Sequence, residues 1–171
     1  FVYPVVVHSI WSSDGFLSAM APMEDRFQGV GMIDFAGSGV VHMTGGMCAL
    51  ICAIILGPRI GRFYDENGNA FDEPRSFAPH SVTLQVLGTF ILWFGWYGFN
   101  AGSTLGISGE NDEHVAALAA VNTTMSGACA AVSAMFLDCV LNFIKSGEIE
   151  YDLTMAMNGG LTGLVGVTGA W

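Results

Sequence analysis

The sequence predicts an all-α fold, a polytopic bundle of membrane-spanning helices, and three observations lead to this prediction. Of the 171 residues, 52% are hydrophobic and only 12% are charged, which is about half the charged share of a soluble domain. The mean hydropathy is +0.53. The apolar stretches are long and lack two-residue alternation, so helices are favoured over a closed β-barrel as the way to satisfy backbone groups in lipid.

Five apolar stretches predict five helices, because a helical span needs about 20 mostly apolar residues. The predicted helices cover residues 1–11 (cut short by the chain start), 31–56, 81–107, 115–143 and 153–171 (cut short by the chain end). A natural terminus rarely leaves a span half made. We therefore expect an internal fragment of a longer membrane protein, with residues 1–171 as a single, partial transmembrane domain.

The basic residues predict the orientation of the bundle. The loop at residues 57–80 holds Arg59, Arg62 and Arg75, and Lys145 follows the fourth predicted helix, whereas the loop between the third and fourth helices has no Lys or Arg. Cytoplasmic loops of membrane proteins carry an excess of Lys and Arg. The loop at residues 57–80 and the loop between the fourth and fifth helices are therefore predicted to be cytoplasmic, and the other two loops are predicted to lie outside.

Composition also excludes several classes of partner and cofactor. The formal net charge is −10 and the acidic residues cluster in loops, so no basic stripe is available to bind nucleic acid. The four cysteines fall in apolar segments and complete no metal site. Residues 65–76 resemble a calcium-binding loop only in part, because the sixth position is Ala70 where such a loop needs glycine. We expect no metal, no cofactor and no enzymatic activity.

Two ionisable residues stand within the second predicted helix, where charge is costly. His42 needs a polar partner, a water-filled cavity or a ligand beside it. It could form a hydrogen bond to a neighbouring helix that only stabilises the packing. A role in a permeation pathway or a proton relay is favoured, because imidazole accepts and donates hydrogen bonds. Asp34, at the outer end, could bind a cation. A structural role is favoured for it, in which the carboxylate accepts the first-turn amides around Ala36 and Gly37.

The third predicted helix carries Trp96, Phe99 and Ser103 at i, i+3 and i+7, which places them on one face. Such a stripe is usually core or an interfacial belt. Here it ends in a hydroxyl at the outer mouth, where Trp11 is also predicted to lie. An indole face and a hydroxyl suit a small cation, through cation–π attraction and one hydrogen bond. A permeation path along this face is therefore a hypothesis.

Four motifs resemble those of one transporter family. Residues 34–42 (DFAGSGVVH) are similar to the signature of the ammonium transporter family (Amt/Mep/Rh). Residues 3–12 (YPVVVHSIWS), 94–103 (FGWYGFNAGS) and 158–164 (NGGLTGL) match it in the expected order. The resemblance covers essentially the whole chain and is nearest to the plant and algal Amt type. It implies a fragment of an eleven-helix subunit, built from two five-helix inverted repeats and a final helix, in a homotrimer in the plasma membrane with one pore per subunit.

The resemblance also implies site residues. Trp11 and Ser103 would form the outer recruitment site for ammonium, and Phe99 one ring of a phenylalanine gate. Trp96 would line the pore near His42, the first of two pore histidines. Asp34 would organise the backbone at the outer mouth of the pore.

Together these residues predict transport of ammonium or ammonia, with cation recruitment, deprotonation and passage through a hydrophobic pore surrounded by membrane lipid. An ammonium sensor that uses the same site without net flux stays an alternative. A haem-binding redox subunit is disfavoured. It would need two histidines in the middle of facing spans, whereas His8, His80 and His114 lie at the ends of spans.

Overall fold

A computed structural model describes residues 1–171 and contains no β-strand, which confirms the all-α prediction. Five helices follow one another along the chain. Their bounds are α1 Val2–Trp11, α2 Ser38–Leu56, α3 Val82–Ala101 continued by a 3₁₀ turn at Gly102–Thr104, α4 Asp112–Ser146 and α5 Leu153–Val167. Two short 3₁₀ turns, Met23–Asp25 and Phe27–Gly29, lie between α1 and α2.

Three of these helices are long and apolar enough to cross a membrane. They are α2, α3 with its 3₁₀ turn, and α4, with mean hydropathies of 2.0, 1.3 and 1.8. Only 18 of the 171 residues are buried within the chain. The apolar faces of the helices are therefore turned outward, as expected where lipid or other helices, and not water, surround them.

The closest packing joins α4 to α5 and depends on small residues. A Cβ at Gly159 would collide with Ala130 and Ala134 of α4, and one at Gly163 would collide with the Ser126 carbonyl. The Ser126 hydroxyl donates to the Gly163 carbonyl at 2.8 Å. Glycine at these two positions thus allows the two backbones to approach, which is how helices associate in lipid.

Helix α3 packs on this pair through an aromatic contact and a polar one. A Cβ at Gly127 of α4 would come within 2.6 Å of the Trp93 ring. Four residues earlier in α4, the Thr123 hydroxyl accepts a hydrogen bond from the Asn100 side chain at 2.9 Å and donates to the Ala119 carbonyl at 2.6 Å. Asn100 and Thr123 are both buried, so this link fixes the register of α3 against α4.

Helix α2 differs most from its predicted bounds, since it begins at Ser38 and not near residue 31. Residues 31–37 are irregular, and Gly37 has a φ of 108°, a value that favours glycine. The first part of the helix, Ser38–Met43, is π-helical, and regular α-helix follows over Thr44–Leu56. The apolar composition of this stretch did not reveal that its first part is held by hydrogen bonds to the Asp34 side chain and to the segment after α5.

The other helix ends differ by a few residues. The chain leaves α3 at Leu105, whose φ of 60° ends the helix before residue 107. Helix α4 is longer than predicted at both ends: acidic Asp112 and Glu113 lie in its first turn and Lys145 in its last, and both signs suit the helix dipole. Helix α5 ends at Val167, because the carbonyls beyond it pair with the segment before α2.

Candidate functional site

Asp34 organises the turn that leads into α2. Its carboxylate accepts hydrogen bonds from the backbone amides of Gly37 at 3.2 Å, Gly39 at 2.9 Å and Val40 at 2.7 Å. The side chain is 6% exposed. The sequence suggested Ala36 and Gly37 as the donors, but the Ala36 amide donates to the Thr168 carbonyl of the segment after α5, at 2.8 Å. A buried carboxylate with three amide donors needs no cation to balance its polar atoms.

Trp11, at the end of α1, is fixed to the same turn. Its indole Nε1 donates to the Asp34 carbonyl at 2.6 Å. Because this bond uses the indole N–H, the remaining interaction surface of the side chain is the π-face of its ring. Trp11 and Ser103 line one cleft of about 610 Å³, in which nine of the twelve lining residues are hydrophobic.

Ser103 contributes an oxygen acceptor to this cleft. Its hydroxyl donates to the Phe99 carbonyl one turn earlier in α3, at 2.7 Å. A hydroxyl has one hydrogen and two lone pairs, so the oxygen stays able to accept a hydrogen bond from a ligand. The cleft therefore offers an aromatic face and an acceptor oxygen, which is the combination that a small cation with N–H donors requires.

A second group of side chains surrounds His42. The imidazole stacks on the Trp96 ring, with 5.2 Å between centroids and 19° between planes, and it meets the Phe99 ring at 5.5 Å and 41°. Trp96 and Phe99 are 6.0 Å apart. The Nε2 atom of His42 is buried and has no hydrogen-bond partner among residues 1–171. A buried polar nitrogen without a partner calls for a ligand or a neighbouring group.

Trp96 is also held by a residue that the sequence did not identify. Its indole Nε1 donates to the hydroxyl of Thr168 at 3.1 Å. The two residues are 72 positions apart, so no local pattern linked them. A threonine near the end of a glycine-rich helix gave no signal by itself.

The predicted site residues thus form two neighbouring groups. Trp11, Asp34 and Ser103 line the cleft, and His42, Trp96 and Phe99 form an aromatic cluster. Phe99 connects them, because its ring lies in the cluster while its carbonyl accepts the Ser103 hydroxyl. No group of three His, Cys, Asp or Glu side chains is placed to hold a metal ion.

The sequence profile of the Ammonium Transporter Family matches residues 1–171. The chain belongs to the ammonium transporter family. This confirms the resemblance drawn from the four motifs. The family consists of transporters and not of enzymes. Together with the three membrane-capable helices, membership makes this a membrane protein.

Named relatives and solved structures agree with this assignment. The chain is 45% identical to ammonium transporter 1 member 1 of Arabidopsis thaliana over 176 residues, which cover 99% of this chain and 33% of that protein. It is 42% identical to ammonium transporter Amt2 of Archaeoglobus fulgidus over 172 residues, again 99% of this chain and 33% of the relative. The crystal structure of the Mep2 mutant delta442 from Candida albicans matches with a TM-score of 0.67 and 31% identity, over 99% of this chain and 32% of that one. The chain spans about a third of the length of the curated relatives it matches.

Proposed function

We propose that this chain provides the outer mouth and one wall of a pore that carries ammonium or ammonia across a membrane. The observation that carries the proposal is the adjacency of the two groups of residues. A cleft with an indole face and an acceptor oxygen leads, through Phe99, to a buried imidazole nitrogen without a protein partner. Names of relatives such as ammonium transporter Amt2 support ammonium as the substrate.

Recruitment takes place in the cleft. The Trp11 indole N–H is engaged with the Asp34 carbonyl, so its ring face is free to attract a cation. The Ser103 oxygen accepts one ammonium N–H. Both groups are uncharged, so they favour the cation without trapping it.

Deprotonation occurs beside Phe99, which lies between the cleft and His42. A bare ammonium ion in the middle of the bilayer would lose its hydration at great cost, whereas neutral ammonia loses far less. The ammonium proton is therefore released near the Phe99 ring, and ammonia continues along the wall formed by Trp96 and His42. The imidazole accepts and passes on the proton, since one of its nitrogens accepts while the other donates.

The proposal also covers the position of the chain in the membrane and the assembly of the whole protein. Residues 1–171 form part of one transmembrane domain, in which other helices supply the opposite wall of the pore. The loops at 57–80 and 147–152 face the cytoplasm, as their Arg residues and the neighbouring Lys145 favour. The protein acts in the plasma membrane, surrounded by lipid, and assembles as a homotrimer with one pore in each subunit.

Uptake of methylammonium tests the function directly. We expect the full-length gene product to restore growth on low ammonium, and to take up methylammonium, in yeast that lack their own ammonium transporters. A sensor using the same site would bind the ion without net uptake. Binding without uptake, at normal abundance in the membrane, would favour the sensor and contradict transport.

Replacement of the imidazole tests the relay. In His42→Ala we expect the charge-coupled, ammonium-selective current to disappear, because no group remains on this wall to carry the proton. Met43→Ala is the matched control, since Met43 is the next residue and is 66% exposed. Its current should equal that of the wild type. A His42→Ala protein that keeps an ion-selective ammonium current would end the relay role.

A further inference from the structure

The Trp96 indole is held by two contacts that come from different parts of the chain. Its ring stacks on His42 at 5.2 Å, and its Nε1 donates to Thr168 Oγ1 at 3.1 Å. An aromatic ring has two side-chain torsions, so a ring contact and a directional hydrogen bond together leave it little freedom. The orientation of the indole therefore depends on residues from two other helical segments.

The Thr168 hydroxyl can act only as an acceptor toward Trp96. Thr168 is completely buried, and its Oγ1 donates to the Leu164 carbonyl at 2.6 Å. Since a hydroxyl has one hydrogen, the bond to Leu164 points the oxygen lone pairs at the indole. The hydroxyl is thus oriented before it meets Trp96.

The backbone of the same segment holds the mouth of the pore. The carbonyl of Thr168 accepts the Ala36 amide at 2.8 Å, and the carbonyl of Gly169 accepts the Phe35 amide at 3.2 Å. Carbonyls at a helix end have no partner within the helix. Thr168 therefore contacts the Trp96 wall through its side chain and the turn built on Asp34 through its backbone.

We infer that Thr168 is a positioning residue for ammonium passage, which keeps the Trp96 indole flat against His42 with its N–H turned away from the path. The inference rests on the proposed function. Without the Thr168 oxygen, the indole N–H loses its acceptor. The indole would then rotate and turn its N–H toward the path, where ammonia or water can accept the hydrogen bond. An N–H in the path would oppose an approaching cation and would hold ammonia by its lone pair.

Thr168→Val tests this role, because valine keeps the shape and removes the acceptor. We expect the maximal rate of methylammonium uptake per transporter to fall about tenfold, the scale of one lost hydrogen bond in a buried place. Thr168→Ser keeps the oxygen and should stay within about twofold of the wild type. Thr162→Val is the matched control, since Thr162 makes the same bond to the carbonyl four residues earlier but is exposed and accepts no hydrogen bond from an indole.

The result that overturns the inference is specific. Wild-type uptake in Thr168→Val at normal membrane abundance would do so, and so would an equal loss in Thr162→Val. A second comparison uses Trp96→Phe, which has no N–H to anchor. In that background, adding Thr168→Val should change uptake by less than about twofold, whereas a purely structural role would reduce it further by the same factor as before.

A spectroscopic measurement keeps the test independent of transport. In protein labelled with ¹⁵N-tryptophan, the indole N–H signal that is absent from Trp96→Phe belongs to Trp96. We expect this signal to shift upfield and to exchange faster with solvent in Thr168→Val, and to stay in place in Thr168→Ser and Thr162→Val. If wild-type protein shows no uptake, the proposed function fails. An unmoved indole signal in Thr168→Val makes the Thr168 inference fail separately.

Discussion

Residues 31–43 and residues 44–56 belong to one continuous apolar stretch, yet the two halves are built in opposite ways. In the first half, the chain turns at Gly37, enters a π-helix at Ser38 and gives three amides to the Asp34 carboxylate. The second half is a regular α-helix, and none of its residues is buried within the chain. The first half contains Asp34 and His42, whereas the second half has no charged residue and no histidine.

The difference shows where function can reside in a membrane segment. A regular helix satisfies its own backbone in lipid, whereas irregular backbone at membrane depth needs partners from elsewhere. The first half has the Asp34 carboxylate as one partner within it and the carbonyls of Thr168 and Gly169, after α5, as partners from elsewhere. In addition, π-helical turns often occur at functional sites. His42 lies in this half. The irregular backbone and the ionisable side chain therefore mark the same place.

Asp34→Ala should break the first half most severely. Three buried amides would lose their acceptor, and each unpaired buried donor costs about 1–3 kcal/mol. We expect the free energy of unfolding to fall by about 3–5 kcal/mol and uptake to fall to background. Thermal unfolding in detergent and methylammonium uptake measure the two effects.

Asp34→Asn and Asp152→Ala are the matched variants for this prediction. Asparagine keeps one acceptor oxygen, so Asp34→Asn should lose less stability than Asp34→Ala. Asp152 caps α5 by accepting the Thr154 amide at 2.7 Å, and its loss should cost about 1 kcal/mol without abolishing uptake. Equal losses in Asp152→Ala and Asp34→Ala would mean that the Asp34 carboxylate is an ordinary helix cap.

A pair of glycine substitutions compares the two halves directly. Gly37 has a φ of 108°, and a Cβ there would lie 2.6 Å from Val41 Cγ2 and 3.1 Å from the Trp11 ring. Gly37→Ala should therefore cost about 1–2 kcal/mol and reduce uptake several-fold by moving Trp11. Gly46, in the regular half, has open space at its Cβ. Gly46→Ala should be neutral or stabilise by up to about 1 kcal/mol, with unchanged uptake. A large loss in Gly46→Ala alone would show that another helix packs closely on this half.

The sequence predicted the regular parts of the fold because regularity in lipid depends on composition. Long apolar runs were sufficient to place α3, α4 and the regular part of α2 at residues 44–56. They were insufficient for residues 31–43, because the amides of residues 35 and 36 pair with carbonyls of residues 168 and 169. Such pairing joins distant parts of the chain, and helical periodicity carries no information about it.

The candidate site could be predicted to the extent that its residues share one helix or one motif. Spacing on α3 placed Trp96, Phe99 and Ser103 on one face, and the structure places two of them on His42 and the third in the cleft. Which ring stacks on the imidazole and what holds that ring were not predictable. Thr168 is an example, because its contact with Trp96 depends on how the segment after α5 packs against α3. Its neighbours in the sequence do not indicate this contact.

Replacement of Asp65 should have the smallest effect on uptake. It tests whether the importance of a carboxylate depends on its burial or on the number of hydrogen bonds that it accepts. Like Asp34, its carboxylate accepts three donors, the amides of Asn67 and Asn69 and the Asn69 side chain, but it lies in an exposed loop. The hydrogen bonds from Asn69, first from its side chain and then from its backbone, lower the pKa of Asp65 below its ordinary value. A lowered pKa in the folded state means that the ionised carboxylate stabilises the loop at pH values above the ordinary pKa. This stabilisation is lost as the pH falls through the pKa of the folded state.

Asp65→Asn should therefore speed amide hydrogen exchange at Asn67 and Asn69 at neutral pH. The difference from the wild type should vanish once the wild-type carboxyl is protonated, and uptake should stay within about twofold of the wild type. If Asp65→Asn instead reduces uptake as much as Asp34→Asn does, burial does not explain why one carboxylate matters more for uptake than the other.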